Sequence, residues 1–139
     1  MSDSPIPSFL RAIDALDLEA VLALFGPDAS VSMPFGEEAN GEQGLRDEFT
    51  KFLSELRATQ HQLGSHWNPD PDVWIAEFSA TYELTDFSRR GPYKRALIVR
   101  TGDGLIAQMS IYGAHELPLP ESGHPYERVR GPNGWLPTL

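Results

Sequence analysis

Four side chains in this sequence are of types that move protons or stabilise oxyanions: His61, Glu77, Arg95 and Tyr112. Glu77 stands in Ala76-Glu77-Phe78, mid-strand, where an unpaired carboxylate is costly to bury. Beside a substrate in a partly apolar cavity it can act as general base or acid. Its bland reading is one half of an ion pair with Arg95 or a cross-strand neighbour. His61 lies where a helix gives way to a strand, and an imidazole on a cavity wall is a natural proton shuttle. Alternatively, it ties the helix end to a backbone carbonyl. Arg95 can clamp a carboxylate or meet a developing oxyanion, or simply reach solvent beside Arg89, Arg90 and Lys94. The Tyr112 hydroxyl can reach a ligand, or be a core tyrosine with one hydrogen bond.

Other chemistries lack their residues. The histidines at 61, 66, 115 and 124 show no paired ligand spacing, and the chain has no cysteine, so no metal site is expected. Gly102-Asp103-Gly104 is turn chemistry, and no phosphate loop, dinucleotide fingerprint or nucleophile elbow appears. No cofactor is expected. The 139 residues carry 11 basic and 20 acidic side chains, a formal net charge of −9, which repels phosphate backbones and anionic lipid. Nucleic acid and membrane are therefore excluded as partners. The acidic start MSDSPIPSF lacks a basic segment before an apolar one, so it is no signal peptide and a cytoplasmic location is expected.

The chemistry needs elements to hold it. Ser8 is placed to cap a first helix with Phe9, Ile13 and Leu16 on one face. Asp17 caps a second, with Leu18, Val21, Leu22 and Phe25 inward and Gly26-Pro27 as its stop. A short strand at 29–35 leads into a polar loop from Gly36 to Gly41. A third helix is predicted over 42–58, with a stripe of Leu45, Phe49, Phe52, Leu53 and Leu56. Strands follow at about 61–67, 73–85, 93–100 and 105–112, separated by turn-forming residues. Helices first and a strand meander last give an α+β class, with helices on one face of a curved antiparallel sheet. One domain is expected over 1–117. The remainder, 118–139, is rich in proline and glycine and is expected to be a tail without regular structure, docked through Tyr126 and Trp135.

The order of elements and the stretches "DLEAVLALFGPDASVSMPFG" (17–36), "GEQGLRDEF" (41–49), His61 with Trp67, "AEFSATY" (76–82) and "VRTGDGLIAQMSIY" (99–112) resemble the SnoaL-like group of the NTF2-like superfamily. That resemblance implies a cone: three N-terminal helices on the concave sheet face, a deep cavity between, and usually a dimer through the convex face. It implies inward positions for Ile106, Gln108, Ser110 and Tyr112, for Arg95, Leu97 and Val99, and for Glu77, Ser79 and Thr81. Met109 and Ile111, with Trp74, Phe78 and Tyr82, would then cover the convex side, and Phe78→Lys would yield monomers. Relatives that isomerise Δ5-ketosteroids use an aspartate base with a tyrosine and a second aspartate; those positions align with Met33, Phe9 and Arg95, so that activity is not expected. The aspartate two residues past the final-strand tyrosine falls at Ala114.

The expected function is a cavity for a medium-sized, mainly apolar molecule, lined by Phe9, Ile13, Met33, Phe35, Phe49, Phe52, Leu97, Val99, Gln108 and Ser110. Its chemistry would be cofactor-free acid/base work of the isomerase, cyclase, dehydratase or hydrolase type, with Glu77 as base or acid, His61 as shuttle, and Arg95 and Tyr112 as donors. The other reading is a non-catalytic dimeric ligand-binding or assembly module.

Overall fold

The computed structural model describes residues 4–33 and 38–113. Helix α1 (Ile6–Asp14) starts after Pro5, with the Ser4 hydroxyl accepting the Ile6 N–H at 3.1 Å. Ser8, expected as the cap, lies one turn inside and accepts from Arg11 instead. The helix ends with Leu16 at φ 55°, whose N–H closes on the Ile13 carbonyl. Asp17 caps α2 (Leu18–Leu22) as expected, accepting the Ala20 N–H at 3.1 Å. The helix ends at Leu22 with Ala23 as its C-cap, so Gly26-Pro27, expected as its stop, lie instead inside β1 (Phe25–Ser32), which Phe25 opens.

The polar loop holds one element the sequence reading missed, β2 (Glu38–Asn40), paired antiparallel to β1. Three residues are too few to show alternation, so composition gave no signal. Helix α3 (Gly41–Ser54) ends four residues sooner than its stripe suggests, because Leu56 is the first residue of β3 (Leu56–Asp70). Then come β4 (Val73–Leu84), β5 (Arg89–Gly102) and β6 (Leu105–Gly113).

The strands form one curved sheet in the order β2-β1-β6-β5-β4-β3. All pairs are antiparallel except β1–β6, which is parallel, so the expected antiparallel sheet has one parallel seam. Helix α3 lies over β1, and α1 over the β3 edge. The core between helices and sheet holds Ile6, Phe9, Ile13, Val31, Leu45 and Phe49, closed from below by Leu97, Val99, Ile106 and Met109. Phe9, Phe25 and Phe49 meet ring to ring at 5.7–6.1 Å.

Register settles which face each strand presents, and it reverses several expectations. Phe78 lies opposite Arg95, and Ala76 opposite Leu97, so Trp74, Ala76, Phe78, Ala80 and Tyr82 face the helices. Glu77, Ser79 and Thr81 therefore face the open side, with Glu77 exposed. On β6, two residues oppose one between Ile106 and Gln108, a bulge that shifts the alternation. Ile106 points inward before it and Met109 after it, both fully buried, while Gln108 and Tyr112 turn outward. Ile111 likewise packs against the core. The apolar half of each strand goes to the helices because burial there removes it from water. The residues expected to form a convex dimer face are thus internal.

Candidate functional site

His61 and Asp14 make the most specific polar contact on the helix-facing side. Asp14 is the last residue of α1, and β3 is an edge strand whose outward N–H groups need partners. The Asp14 carboxylate supplies one. Its Oδ2 accepts the His61 backbone N–H at 3.1 Å, and its Oδ1 lies 2.6 Å from His61 Nδ1. The His61 side chain is 5% exposed and that of Asp14 30%. A carboxylate on Nδ1 fixes the ring and places the proton there, leaving Nε2 as the basic nitrogen. Among the described residues no hydrogen-bond partner meets Nε2.

Aromatic rings surround this imidazole. His61 lies opposite Ala80, and its ring stands 5.5 Å from Phe78 and 6.2 Å from Tyr82. Tyr82 in turn meets Phe52 of α3 at 6.0 Å and Tyr93 of β5 at 6.2 Å. Arg95 is the one buried charged residue among those described, at 9% exposure. Its guanidinium sits 5.0 Å from the Tyr93 ring centre, and Nη1 donates to the Lys94 carbonyl at 3.4 Å. Gly113 makes room for it, because a Cβ there would lie 2.7 Å from Arg95 Cδ and 2.9 Å from the Lys94 carbonyl oxygen.

Of the expected site residues, His61 and Phe52 meet the same aromatic ring, Tyr82, while Arg95 lies beyond it against Tyr93; Asp14, Phe78, Tyr82 and Tyr93 are neighbours the sequence did not name for the site. Asp14 had one readable signal, a carboxylate closing a helix whose preceding apolar residues face the core. Its partner 47 residues away did not show in the sequence. Phe9, Ile13, Phe49, Leu97 and Val99 are packed in the core, with Met33 partly buried against it. Ser110 is half-buried on the open face in the row of Ile98. Phe35, His115, Glu116 and the 118–139 segment lie outside the described residues.

Glu77 and Tyr112 line a shallow groove of about 500 Å3 with Gln62, Ser79 and Lys94, and Phe78 and Arg95 contribute to its lining as well. Register turns Glu77 and Arg95 to opposite faces of the sheet, so the ion pair given as the bland reading of Glu77 is not seen among the described residues. The shifted carboxyls lie elsewhere, at the surface. Hydrogen bonding from Arg46 holds Glu19 below its usual range, and bonds from the Ser88 hydroxyl and N–H do the same for Asp86.

Among the described residues, no cluster of three or more histidine, aspartate or glutamate side chains is arranged to hold a metal, and no helix is long and apolar enough to cross a membrane. The chain belongs to the SnoaL-like domain family, whose model matches residues 7–109. Solved structures share the fold at low identity. A protein of ketosteroid isomerase-like fold from Catenulispora acidiphila, in complex with trimethylamine, is 14% identical over 90% of this chain and 96% of its own, with a TM-score of 0.74. An NTF2-like protein from an Exiguobacterium species is 15% identical over 81% and 100%, with a TM-score of 0.68. The epoxide hydrolase/cyclase-like enzyme SalBIII, of pyran ring formation in salinomycin, is 16% identical over 78% and 87%, also at 0.68. No curated protein matches.

Proposed function

We propose that this chain is a cytoplasmic protein that binds a medium-sized, mainly apolar small molecule against the aromatic corner of Phe52, Phe78, Tyr82 and Tyr93, and uses His61 as a cofactor-free general base. The single observation that carries the reading is the 2.6 Å contact between Asp14 Oδ1 and His61 Nδ1 inside that corner. A carboxylate behind an imidazole holds its tautomer and stabilises the imidazolium formed when Nε2 takes a proton. Arg95 would meet the oxyanion left on the substrate. Isomerisation through an enolate, and cyclisation or dehydration that follows from it, begin with such a proton transfer, while in hydrolysis the same base would take its proton from the attacking water. The shared fold with SalBIII, an epoxide hydrolase/cyclase-like enzyme, supports the reading by analogy.

The test uses 2-tetralone, a flat, enolisable ring ketone, as a probe. Its α-protons should exchange with D2O faster in the presence of the protein, read by proton NMR. His61→Gln should remove about 100-fold or more of that acceleration, the usual worth of a positioned base. Equal exchange with wild type and variant would overturn the catalytic reading. It would favour the alternative of a ligand-binding or assembly module, which the tight Phe9–Phe25–Phe49 core also suits.

The partners expected are the small molecule and a second copy of the chain. The face available to that copy is the open one, where Trp67 is 48% and Tyr112 53% exposed and Ile75 and Ile98 are half-buried. Sedimentation at micromolar concentration should give a dimer. A monomer would remove the second copy from this proposal.

A further inference from the structure

We infer that the Thr59 hydroxyl binds an oxygen of the ligand, and that this ligand is an enolisable carbonyl compound whose α-carbon is thereby set before His61. This rests on the reading of His61 as the base, and it adds the ligand's chemical class and the residue that orients it.

Thr59 stands on the same face of β3 as His61. Burial alternates along this stretch, with Thr59 and His61 half-buried and Ala58, Gln60 and Gln62 exposed. From Ala58 opposite Glu83 to Leu63 opposite Phe78 the strands pair residue for residue, so no bulge breaks the alternation. Thr59 lies opposite Tyr82, the ring that meets both His61 and Phe52. Its Oγ1 is buried there, and among the described residues no hydrogen-bond partner reaches it.

Buried hydroxyls are normally paired, because taking one out of water without a new partner is unfavourable. Valine has nearly the same shape and a similar preference for strands, without that cost. A hydroxyl kept at this place is explained by a ligand oxygen that pairs with it. The Asp14 carboxylate is committed to His61 and only accepts, whereas the Thr59 O–H donates.

Spacing selects the chemistry. Two residues along a strand set the Cα atoms of Thr59 and His61 about 6.6 Å apart, with their side chains leaving the sheet side by side. In a carbonyl compound the oxygen and the α-carbon are about 2.4 Å apart, given a C=O of about 1.23 Å and a C–C of about 1.52 Å. With an O–H···O bond of about 2.7 Å at one end and a base about 3 Å away at the other, the reach is up to about 8 Å. A carbonyl oxygen on Thr59 therefore brings the α-carbon to the imidazole. When Nε2 takes the α-proton, the C–H electron pair becomes the C=C bond and the carbonyl π pair moves onto oxygen, where the Thr59 O–H meets the enolate. The proton then returns to the same carbon in exchange, or to a conjugated one in isomerisation.

Thr59→Val should unfold in urea at or above the wild-type midpoint, yet lose about 10- to 100-fold of the 2-tetralone exchange rate. Thr59→Ser should keep most of that rate. Binding without turnover is read with 2-naphthol, a stable analogue of the enol, and oxygen-free naphthalene, each titrated into the full chain by NMR. Wild type should hold 2-naphthol at least about tenfold more tightly than naphthalene, a gap on the scale of one hydrogen bond. Thr59→Val should erase that gap and His61→Gln should leave most of it. Equal binding of the two by wild type would overturn the inference, a result that needs no variant to fold. A Thr59→Val midpoint below wild type would overturn it too, because the hydroxyl would then serve the fold. If His61→Gln leaves exchange unchanged while Thr59→Val still erases the naphthol preference, the base reading falls and the oxygen contact stands.

Discussion

Asp14→Ala should lower the unfolding free energy by about 2–4 kcal/mol, because it strips two donors at once. The His61 backbone N–H and its Nδ1–H both end on that carboxylate, and the imidazole is 5% exposed, so water reaches it poorly. Each buried polar group left without a partner costs about 1–3 kcal/mol. Asp14→Asn keeps one acceptor oxygen and should cost about half as much. Urea denaturation of the three proteins reads the series. If Asp14→Ala unfolds at the wild-type midpoint, the contact contributes nothing to holding α1 on the sheet edge. The same series separates structure from chemistry. Asp14→Asn should depress 2-tetralone exchange far more than its stability loss explains, because an amide offers no charge to the imidazolium.

Phe78→Lys should be the most damaging exchange on β4, costing about 4 kcal/mol or more, while Glu77→Lys next to it should stay within about 0.5 kcal/mol. Phe78 is 7% exposed, packs against the His61 ring and lies opposite Arg95, so an ammonium there would be buried beside a like charge. Glu77 faces solvent across the open groove. Thermal melts of the two variants decide between the two possible faces of this strand. A folded Phe78→Lys monomer with the wild-type melting temperature would restore the sequence-based picture, in which Phe78 is an outer, dimer-forming residue.

That picture failed for a definable reason. The period of β4 was legible: Trp74, Phe78, Ala80 and Tyr82 were correctly grouped against Glu77, Ser79 and Thr81. The family resemblance implies a polar-lined cavity and so turns the polar group inward, whereas burial takes the apolar set under the helices. On β5 the reading of Arg95, Leu97 and Val99 as inward was right, and strand pairing carries that answer across to β4. On β6 period alone could not suffice. The bulge at Ala107 lets Ile106 and Met109 share a face although they are three apart.

By itself the sequence determined the family, the α+β class, the order of three helices before the long strands, and the core stripes of α1 and α3. These follow from local periodicity, caps and turn residues, which need only neighbours in the chain. It also offered His61 and Arg95 as chemistry-bearing residues. Only the tertiary structure decided what they stand beside. Asp14 reaches His61 across 47 residues, because α1 packs on the edge of β3. Glu77 and Tyr112 do not stand beside His61, because strand pairing and a bulge turn them to the open face. Contacts between distant segments depend on register and docking, and shifting a strand by one residue exchanges its two faces without changing any local preference.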